Sequence, residues 1–272
     1  MLTIGKLGVG QERYYLDKVA EGAEDYYSGE GEVAGEWVGD AARDLGFDGE
    51  VGADQLTAML TGRNPVDGEP LLGTNGVPAK GGVPGFDLTF SAPKSVSLLR
   101  GTGGPVAAVE VSEAHREAVQ AALSYMQREA CWTRRGAGGS EFVKGNGYLA
   151  AGYLHRSSRN GDPQLHTHVL IANATKGPDG RWTRLYHSGI YEHAKAAGYI
   201  YEAHLRHELA RRLGVQWVRT QPEDATGVGA CAHLRASPRA SRFPPRLPAA
   251  SLLGSRSSGR SISTVAASGV TL

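Results

Sequence analysis

Apolar residues alternate with polar ones, or run together, in several segments that predict β-strands. Residues 86–91 alternate and contain β-formers, and residues 147–155 and 165–172 are rich in apolar residues. The last two segments are joined by the short polar stretch 156–164, which predicts that they pair antiparallel. Residues 181–185 predict a further strand, because they follow a Pro-Asp-Gly turn.

Helical periodicity predicts the elements between and around these strands. Apolar positions recur at helical spacing over residues 10–23 and around 53–61, and a long helix is predicted from about 190 to 213, with Gly214 as its C-terminal cap. Helices and antiparallel strands therefore interleave. The predicted fold class is α+β, with a central antiparallel sheet and flanking helices.

Two helix starts can be predicted from single residues. Pro93 fits the first position of a short helix that continues to residue 99. Ser112 has the side chain of an N-cap and predicts the beginning of a helix that extends to about residue 132.

The composition changes near the end of the chain and predicts that a folded domain gives way to a tail. After Asp224 there is no further carboxylate and no Lys, and Arg residues are scattered among Ser, Pro, Ala and Gly without periodicity. We expect a domain over residues 1–217 and a disordered, low-complexity tail over 218–272. An out-of-frame reading of a longer gene would explain the change, and an intact downstream domain in one continuous frame would reject that hypothesis.

Composition also excludes several protein classes. The chain has no run of about 18 apolar residues and no apolar signal segment at its start, so we expect a cytoplasmic location without membrane insertion. Cys131 and Cys231 stand alone, which argues against a disulfide framework. No Gly-x-x-x-x-Gly-Lys-Ser/Thr motif occurs, so we expect no use of ATP. The net charge of +1 does not indicate whether the chain binds nucleic acid, because proteins that do so usually carry an excess of Lys and Arg.

Three histidines are candidate metal ligands. The period of two in a strand places His166 and His168 on one face, and His155 lies near the end of the neighbouring predicted strand. Three neutral imidazoles leave open positions on a divalent ion, which suits an ion that must also touch a substrate. Asp87, on another predicted strand, is a candidate partner that fixes the tautomer of one ligand.

An interpretation of the same residues without a metal site stays open. The chain has nine histidines, and a His-x-His pair also arises by chance or for structural reasons. Five of the six other histidines show no third partner in the sequence pattern. We expect them to be solvated or capping residues: His115, His187, His193, His204 and His207.

Two tyrosine doublets occur within the first thirty residues, Tyr14-Tyr15 and Tyr26-Tyr27. Aromatic pairs beside a helix often supply only packing area. A phenol with a pKa of about 10 becomes a nucleophile only when a neighbouring charge or a polarised phosphorus assists it. A cation held by three histidines would supply that assistance, so packing and catalysis are both open on this evidence.

Several strings resemble the relaxase domain of TrwC/TraI-type conjugative relaxases, the MobF family of HUH endonucleases. The similarity rests on both tyrosine doublets, on Asp-Leu-Thr-Phe-Ser-Ala-Pro-Lys-Ser from Asp87, and on Asp-Pro-Gln-Leu-His-Thr-His ending at His168. It covers about residues 1–217. The resemblance implies an enzyme that nicks single-stranded DNA at a transfer origin and transfers the strand through a 5′-phosphotyrosine.

The resemblance also implies roles for individual residues. Tyr14 would be the principal nucleophile and Tyr15 its assistant, while Tyr26 or Tyr27 would serve the second transfer. The three histidines would hold a divalent ion, with Mg²⁺, Mn²⁺ and Zn²⁺ as candidates. The following basic residues are candidates for DNA binding: Lys94, Arg156 and Arg159.

The implied partners are origin-of-transfer DNA and other relaxosome and coupling proteins. Two alternatives to this function remain open. One is a replication-initiator or transposase-type HUH nuclease. The other is a truncated, inactive remnant that binds single strands, because the tail begins where the family completes its DNA clamp.

Overall fold

The computed structural model describes residues 1–8, 35–73, 82–158, 160–219 and 232–235. The strands of this part of the chain are β1 (Leu2–Lys6), β2 (Glu36–Val38), β3 (Gly85–Ser91), β4 (Trp132–Arg135), β5 (Glu141–Lys144), β6 (Ala150–Ser157), β7 (Pro163–Ala172), β8 (Thr175–Lys176), β9 (Trp182–Thr183), β10 (Gln216–Arg219) and β11 (Ala232–Arg235). Its α-helices are α1 (Asp40–Asp44), α2 (Ala53–Leu60), α3 (Lys94–Thr102), α4 (Gly104–Ala130) and α5 (His187–Leu213). The predicted helix over residues 10–23 lies outside the described residues.

The largest sheet in the described ranges is antiparallel and has the strand order β1-β3-β7-β6-β2. The central strand β7 pairs with β3 on one side and with β6 on the other. This sheet and the helices around it confirm the predicted fold class. The antiparallel pairing of the two histidine strands is likewise confirmed.

One face of the sheet is covered by helices and is called the helical face. Phe86, Leu88 and Phe90 of β3 lie on it, each at most 1% exposed. Buried residues of α4 and α5 belong to the same core cluster. Because side chains alternate along a strand, Asp87 and Thr89 point to the opposite side.

The opposite side is called the histidine face, since it carries His155, His166 and His168. A second core covers one end of it, where Leu56 of α2 packs in one cluster with Leu170 of β7. The strand register places the three histidines toward the other end. Among the described residues, apolar packing covers the helical face and one end of the histidine face, and His155 toward the other end is itself buried.

The start of α4 differs from the prediction. Ser112 lies inside the helix, where its hydroxyl donates to the Ala108 carbonyl oxygen at 2.8 Å and accepts from Arg100 Nε at 3.0 Å. The N-cap prediction was therefore wrong. The helix begins at Gly104, and Pro105 in its first turn suits an earlier start because its missing N–H costs nothing there. Pro93 directly precedes α3 as its N-cap.

Other predicted elements are present with changed lengths. The strand expected over residues 181–185 is reduced to β9, which pairs with β8 and not with the main sheet. α5 ends at Gly214, whose φ of 62° is the left-handed conformation expected of a helix C-terminal cap. Within the described ranges, no helix has both the length and the apolar composition needed to cross a bilayer.

The boundary predicted at residue 217 falls inside β10, which pairs with β11. This short strand pair is regular structure in a segment for which none was expected. The rest of the predicted tail lies outside the described residues, so the division into a domain and a tail stays a prediction.

His115 of α4 is fully buried, which corrects the expectation that it is solvated or capping. Its Nδ1 lies 2.8 Å from the Tyr201 hydroxyl of α5, and its Nε2 lies 2.8 Å from the Thr167 hydroxyl of β7. Burial is the main reason why the pKa of His115 falls from 6.5 to about 3, with the nearby His166 as a smaller cause. The ring is therefore neutral at physiological pH.

This pKa predicts how the stability of the metal-free protein depends on pH. The unfolded chain protonates His115 near its ordinary pKa of 6.5, whereas the folded chain does so only near 3. Between these values the unfolded state binds more protons, so the free energy of unfolding falls as the pH falls, by up to about 1.4 kcal/mol per pH unit from this group. Urea denaturation between about pH 7.5 and 4.5 should show a steeper loss for the parent than for His115→Gln. Equal slopes would contradict the prediction.

Candidate functional site

The structure brings His155, His166 and His168 together on the histidine face. His155 of β6 lies directly opposite His166 of β7, and His168 follows two residues later on the same face. Each pair of ring centroids is 5.1 Å apart. The three rings thus form the corners of a nearly equilateral triangle, the arrangement expected of side chains that face one common point.

Hydrogen bonds fix the tautomer of two of these rings. His166 Nδ1 lies 2.8 Å from the carbonyl oxygen of Gln164, and His168 Nδ1 lies 2.8 Å from Asp87 Oδ2. Both partners are acceptors, so Nδ1 donates in each ring. A neutral imidazole that donates through Nδ1 keeps its lone pair on Nε2, which is the atom that a metal ion needs.

Asp87 and Thr89 support His168 from the neighbouring strand. Both lie on the histidine face, because β3 alternates and Thr89 pairs with His168 in the register. The Thr89 hydroxyl donates to Asp87 Oδ1 at 3.1 Å and lies 3.1 Å from His168 Nδ1. Asp87 was predicted from the sequence and Thr89 was not, although the period of two places them on the same face.

The spacing and the tautomers fit a divalent metal ion. Three imidazole nitrogens at about 2.0–2.1 Å from one tetrahedral ion would put neighbouring ring centroids roughly 5 Å apart. The triad has this spacing, and the outer N–H groups of His166 and His168 are bound to oxygen. Carboxylate and carbonyl partners of this kind orient metal-binding histidines and raise their basicity.

Removing the carboxylate beside His168 gives a direct test of this support. Asp87→Ala should weaken Mn²⁺ binding by roughly 10–100-fold, because the ring loses the acceptor that orients it. Asp87→Asn should fall between Ala and the parent, since an amide oxygen accepts the same bond without the charge. A titration of the metal-free protein with Mn²⁺, followed by electron paramagnetic resonance, measures both. Parental affinity in Asp87→Ala would contradict the assigned role.

Tyr153 is the one tyrosine of β6, and it lies opposite His168 in the strand register. Its side chain is buried at 2% exposure, and burial raises its pKa above the ordinary value of 10. A phenol held so firmly in its neutral form is a poor nucleophile. The four tyrosines that the sequence offers as nucleophiles, at positions 14, 15, 26 and 27, lie outside the described residues.

The predicted DNA-binding residues are not all placed beside the histidines. Lys94 is exposed at the start of α3, and its Nζ donates to the Pro163 carbonyl oxygen at 2.9 Å, where β7 begins. Arg156 lines a cavity of about 430 Å³ between the helical face and α4, which Arg100 and Arg116 also line. It follows His155 in the strand and so projects to the other side of the sheet. Arg159 lies outside the described residues.

Comparisons with known proteins agree on one family. The family model of the TrwC relaxase matches residues 9–246. A multifunctional conjugation protein TraI of Escherichia coli is 36% identical over 205 residues, which is 72% of this chain and 11% of that protein. Its counterpart in Escherichia coli strain K12 is 34% identical over 209 residues. The chain therefore spans about a tenth of the length of these curated relatives.

Two solved structures are similar in both sequence and fold. One is a conjugative relaxase TrwC in a metal-bound complex with oriT DNA, with a TM-score of 0.71 and 32% identity over 86% of this chain and 75% of that one. The other is TrwC complexed with a 27-mer DNA that comprises the recognition hairpin and the cleavage site, with a TM-score of 0.68 and 30% identity over 86% of this chain and 74% of that one.

Proposed function

The chain belongs to the TrwC relaxase family, and from this premise we propose that it nicks one DNA strand at a transfer origin and transfers that strand through a 5′-phosphotyrosine. The observation that carries the proposal is the triangle of histidine rings on one face of the sheet. It gives the chain the ligand set that a metal-assisted phosphoryl transfer requires.

His155, His166 and His168 would hold the divalent ion, with Mg²⁺, Mn²⁺ and Zn²⁺ as candidates. Such an ion, when bound, supplies the withdrawal of charge from the non-bridging oxygens of the scissile phosphate. Asp87 and Thr89 keep the His168 ring in the tautomer that presents Nε2. His166 is held in the same tautomer by the backbone at Gln164.

Tyr14 is the proposed nucleophile. Its phenol oxygen forms a bond to phosphorus while the bond from phosphorus to the 3′ oxygen breaks. The phenol loses its proton, and the departing oxygen gains one to become a free 3′-hydroxyl. Because one phosphodiester replaces another, the step is reversible without ATP. Tyr15 would assist Tyr14, and Tyr26 or Tyr27 would attack in the second transfer.

The remaining assignments extend the same proposal. We place the activity in residues 1–217 and treat 218–272 as a tail, and we propose a cytoplasmic location, where origin DNA is accessible. Lys94, Arg156 and Arg159 are proposed contacts of the DNA backbone. For Lys94 the proposal is supported by its exposure beside the start of β7. Other relaxosome and coupling proteins are proposed partners.

The polarity of the covalent product tests the proposed function. Single-stranded oligonucleotides that carry the transfer origin, labelled differently at their two ends, are incubated with the protein and Mg²⁺ or Mn²⁺. On a denaturing gel, the 3′ label should migrate with the protein, while the 5′ label should appear on a shorter free strand. A chelator should remove both products.

Three other outcomes would overturn or redirect the proposal. A protein-bound 5′ label would reverse the chemistry. DNA binding without an adduct in Mg²⁺, Mn²⁺ or Zn²⁺ would leave a binding remnant. An adduct that forms only on a hairpin from a replication origin would favour the replication-initiator class.

A further inference from the structure

A chain of hydrogen bonds reaches the metal-binding strand from behind. Thr167 separates His166 from His168, and its side chain points to the helical face. His115 of α4 lies 2.8 Å from the Thr167 hydroxyl, and Tyr201 of α5 lies 2.8 Å from the other nitrogen of the same ring. One strand residue is therefore held by a side chain from each long helix, directly or through His115.

The two helix residues of this chain are buried, whereas Thr167 is half-buried and, with His115, lines the cavity of about 430 Å³. His115, Tyr201 and the neighbouring Phe90 are all 0% exposed. The Tyr201 ring meets the His115 ring edge to face, with centroids 5.6 Å apart, and packs against Phe90 at 5.5 Å. Because a buried polar group must keep its partner or lose free energy, this array has one favoured arrangement.

The array is mechanically linked to the candidate metal site by the backbone. In a strand, the side chains before and after Thr167 project from the other face, so a rotation of the strand at this residue turns both histidine rings. His166 and His168 each have a bonded oxygen on the histidine face, and Thr167 fixes the strand between them from the helical face.

We propose that His115 is a positioning residue that, together with Tyr201, holds Thr167 and thereby sets the directions in which His166 and His168 present their nitrogens. This inference rests on the proposed metal-binding role of the triad. It extends the metal site from the histidine face through the sheet to the packing of α4 on α5. The buried array would make the site preorganised before metal or DNA arrives.

Removing both hydrogen-bonding groups separates positioning from stability. Thr167→Val alone keeps the shape of the side chain but leaves a nitrogen of His115 buried without that partner, which destabilises the fold. The double variant Thr167→Val/His115→Leu is made in a Tyr201→Phe background, so that no buried hydroxyl is left without its partner. Apolar groups then stand at all three positions, a change that is close to neutral for folding when shapes match. Thr167→Ser restores the hydroxyl and serves as the rescue.

A similar pair on the same two helices provides the matched control. The Tyr125 hydroxyl of α4 lies 2.8 Å from Nδ1 of His193 in α5, and Tyr125 stands ten positions beyond His115 in α4. Ten residues of helix correspond to roughly 15 Å. Tyr125→Phe/His193→Leu removes an equivalent bond between the helices without touching Thr167.

The readout is Mn²⁺ affinity of the metal-free protein without DNA, together with thermal unfolding of each variant. We expect the Thr167→Val/His115→Leu protein to bind Mn²⁺ about tenfold more weakly, as for the loss of an outer-shell partner. The Mn²⁺ affinities of Thr167→Ser and Tyr125→Phe/His193→Leu should stay within about twofold of the parental affinity, because neither change removes the bond that holds Thr167. Parental affinity in a folded double variant would overturn the proposal.

Failure of this inference is distinguishable from failure of the proposed function. A parent that binds Mn²⁺ through the triad but forms no DNA adduct would refute strand transfer and leave the positioning role intact. If the parent forms the adduct while the folded double variant binds Mn²⁺ with parental affinity, the positioning role is refuted and strand transfer is supported. If the double variant does not fold, Thr167→Val and His115→Gln, each of which disturbs only one end of the Thr167 bond, carry the same comparison.

Discussion

Tyr14→Phe should abolish the covalent protein–DNA adduct, with a loss of at least about a thousandfold in its rate of formation, because the variant has no phenol oxygen to attack phosphorus. DNA binding should survive, since the aromatic ring and its packing area are retained. The adduct is quantified on a denaturing gel, and binding is measured by fluorescence anisotropy with the same single strand.

Two further tyrosine variants show whether the effect is specific to Tyr14. Tyr153→Phe removes a phenol that lies opposite His168 in the register but is buried and has a raised pKa, so the adduct should persist. Tyr26→Phe should spare the first transfer and impair the second. If Tyr14→Phe forms the adduct at the parental rate, the nucleophile is misassigned, and Tyr15 and Tyr26 become the candidates.

His166→Ala should lose both metal binding and cleavage. It removes one corner of the ring triangle and leaves two imidazoles, so the loss of Mn²⁺ affinity should exceed the roughly 10–100-fold that loss of an outer partner costs. The fold should survive, because β7 is held on the helical face by buried Leu165 and Val169. Equilibrium dialysis with Mn²⁺ and the adduct gel measure the two losses, and circular dichroism checks the fold.

His204→Ala is the control for that variant. His204 is an exposed histidine of α5, and its removal should change neither metal content nor cleavage. A His166→Ala protein that binds one equivalent of Mn²⁺ with parental affinity would place the ion elsewhere. A protein that loses the ion but cleaves at the parental rate would remove metal assistance from the mechanism.

The part of the site that sequence could predict follows from the period of a strand. Residues at i and i+2 share a face, which places His166 beside His168, and a short connection brings His155 opposite them. The same rule shows that Arg156, next to His155, belongs to the other face. It also places Thr89 beside Asp87. The sequence pattern was sufficient to predict the faces of Arg156 and Thr89, although neither was predicted.

Other features depend on contacts that local patterns do not encode. The Thr167–His115 and His115–Tyr201 contacts join residues that are 52 and 86 positions apart in the chain. Neither periodicity nor capping rules can predict contacts over such separations. A lone histidine in a helix looks the same in sequence whether it is solvated or buried. The edge strands β1 and β2 are short, and their place in the sheet is decided by the pairing of β1 with β3 and of β2 with β6.

Tandem mass spectrometry of the adduct identifies the residue to which the DNA is joined. The parent is incubated with the reactive single strand and Mn²⁺, digested with protease and nuclease, and searched for a nucleotide on tyrosine. We expect a 5′-linked nucleotide on the peptide that contains Tyr14, absent when a chelator is present and absent from His166→Ala. A nucleotide on a residue outside the two tyrosine doublets, or an equal yield in the chelator, would contradict it.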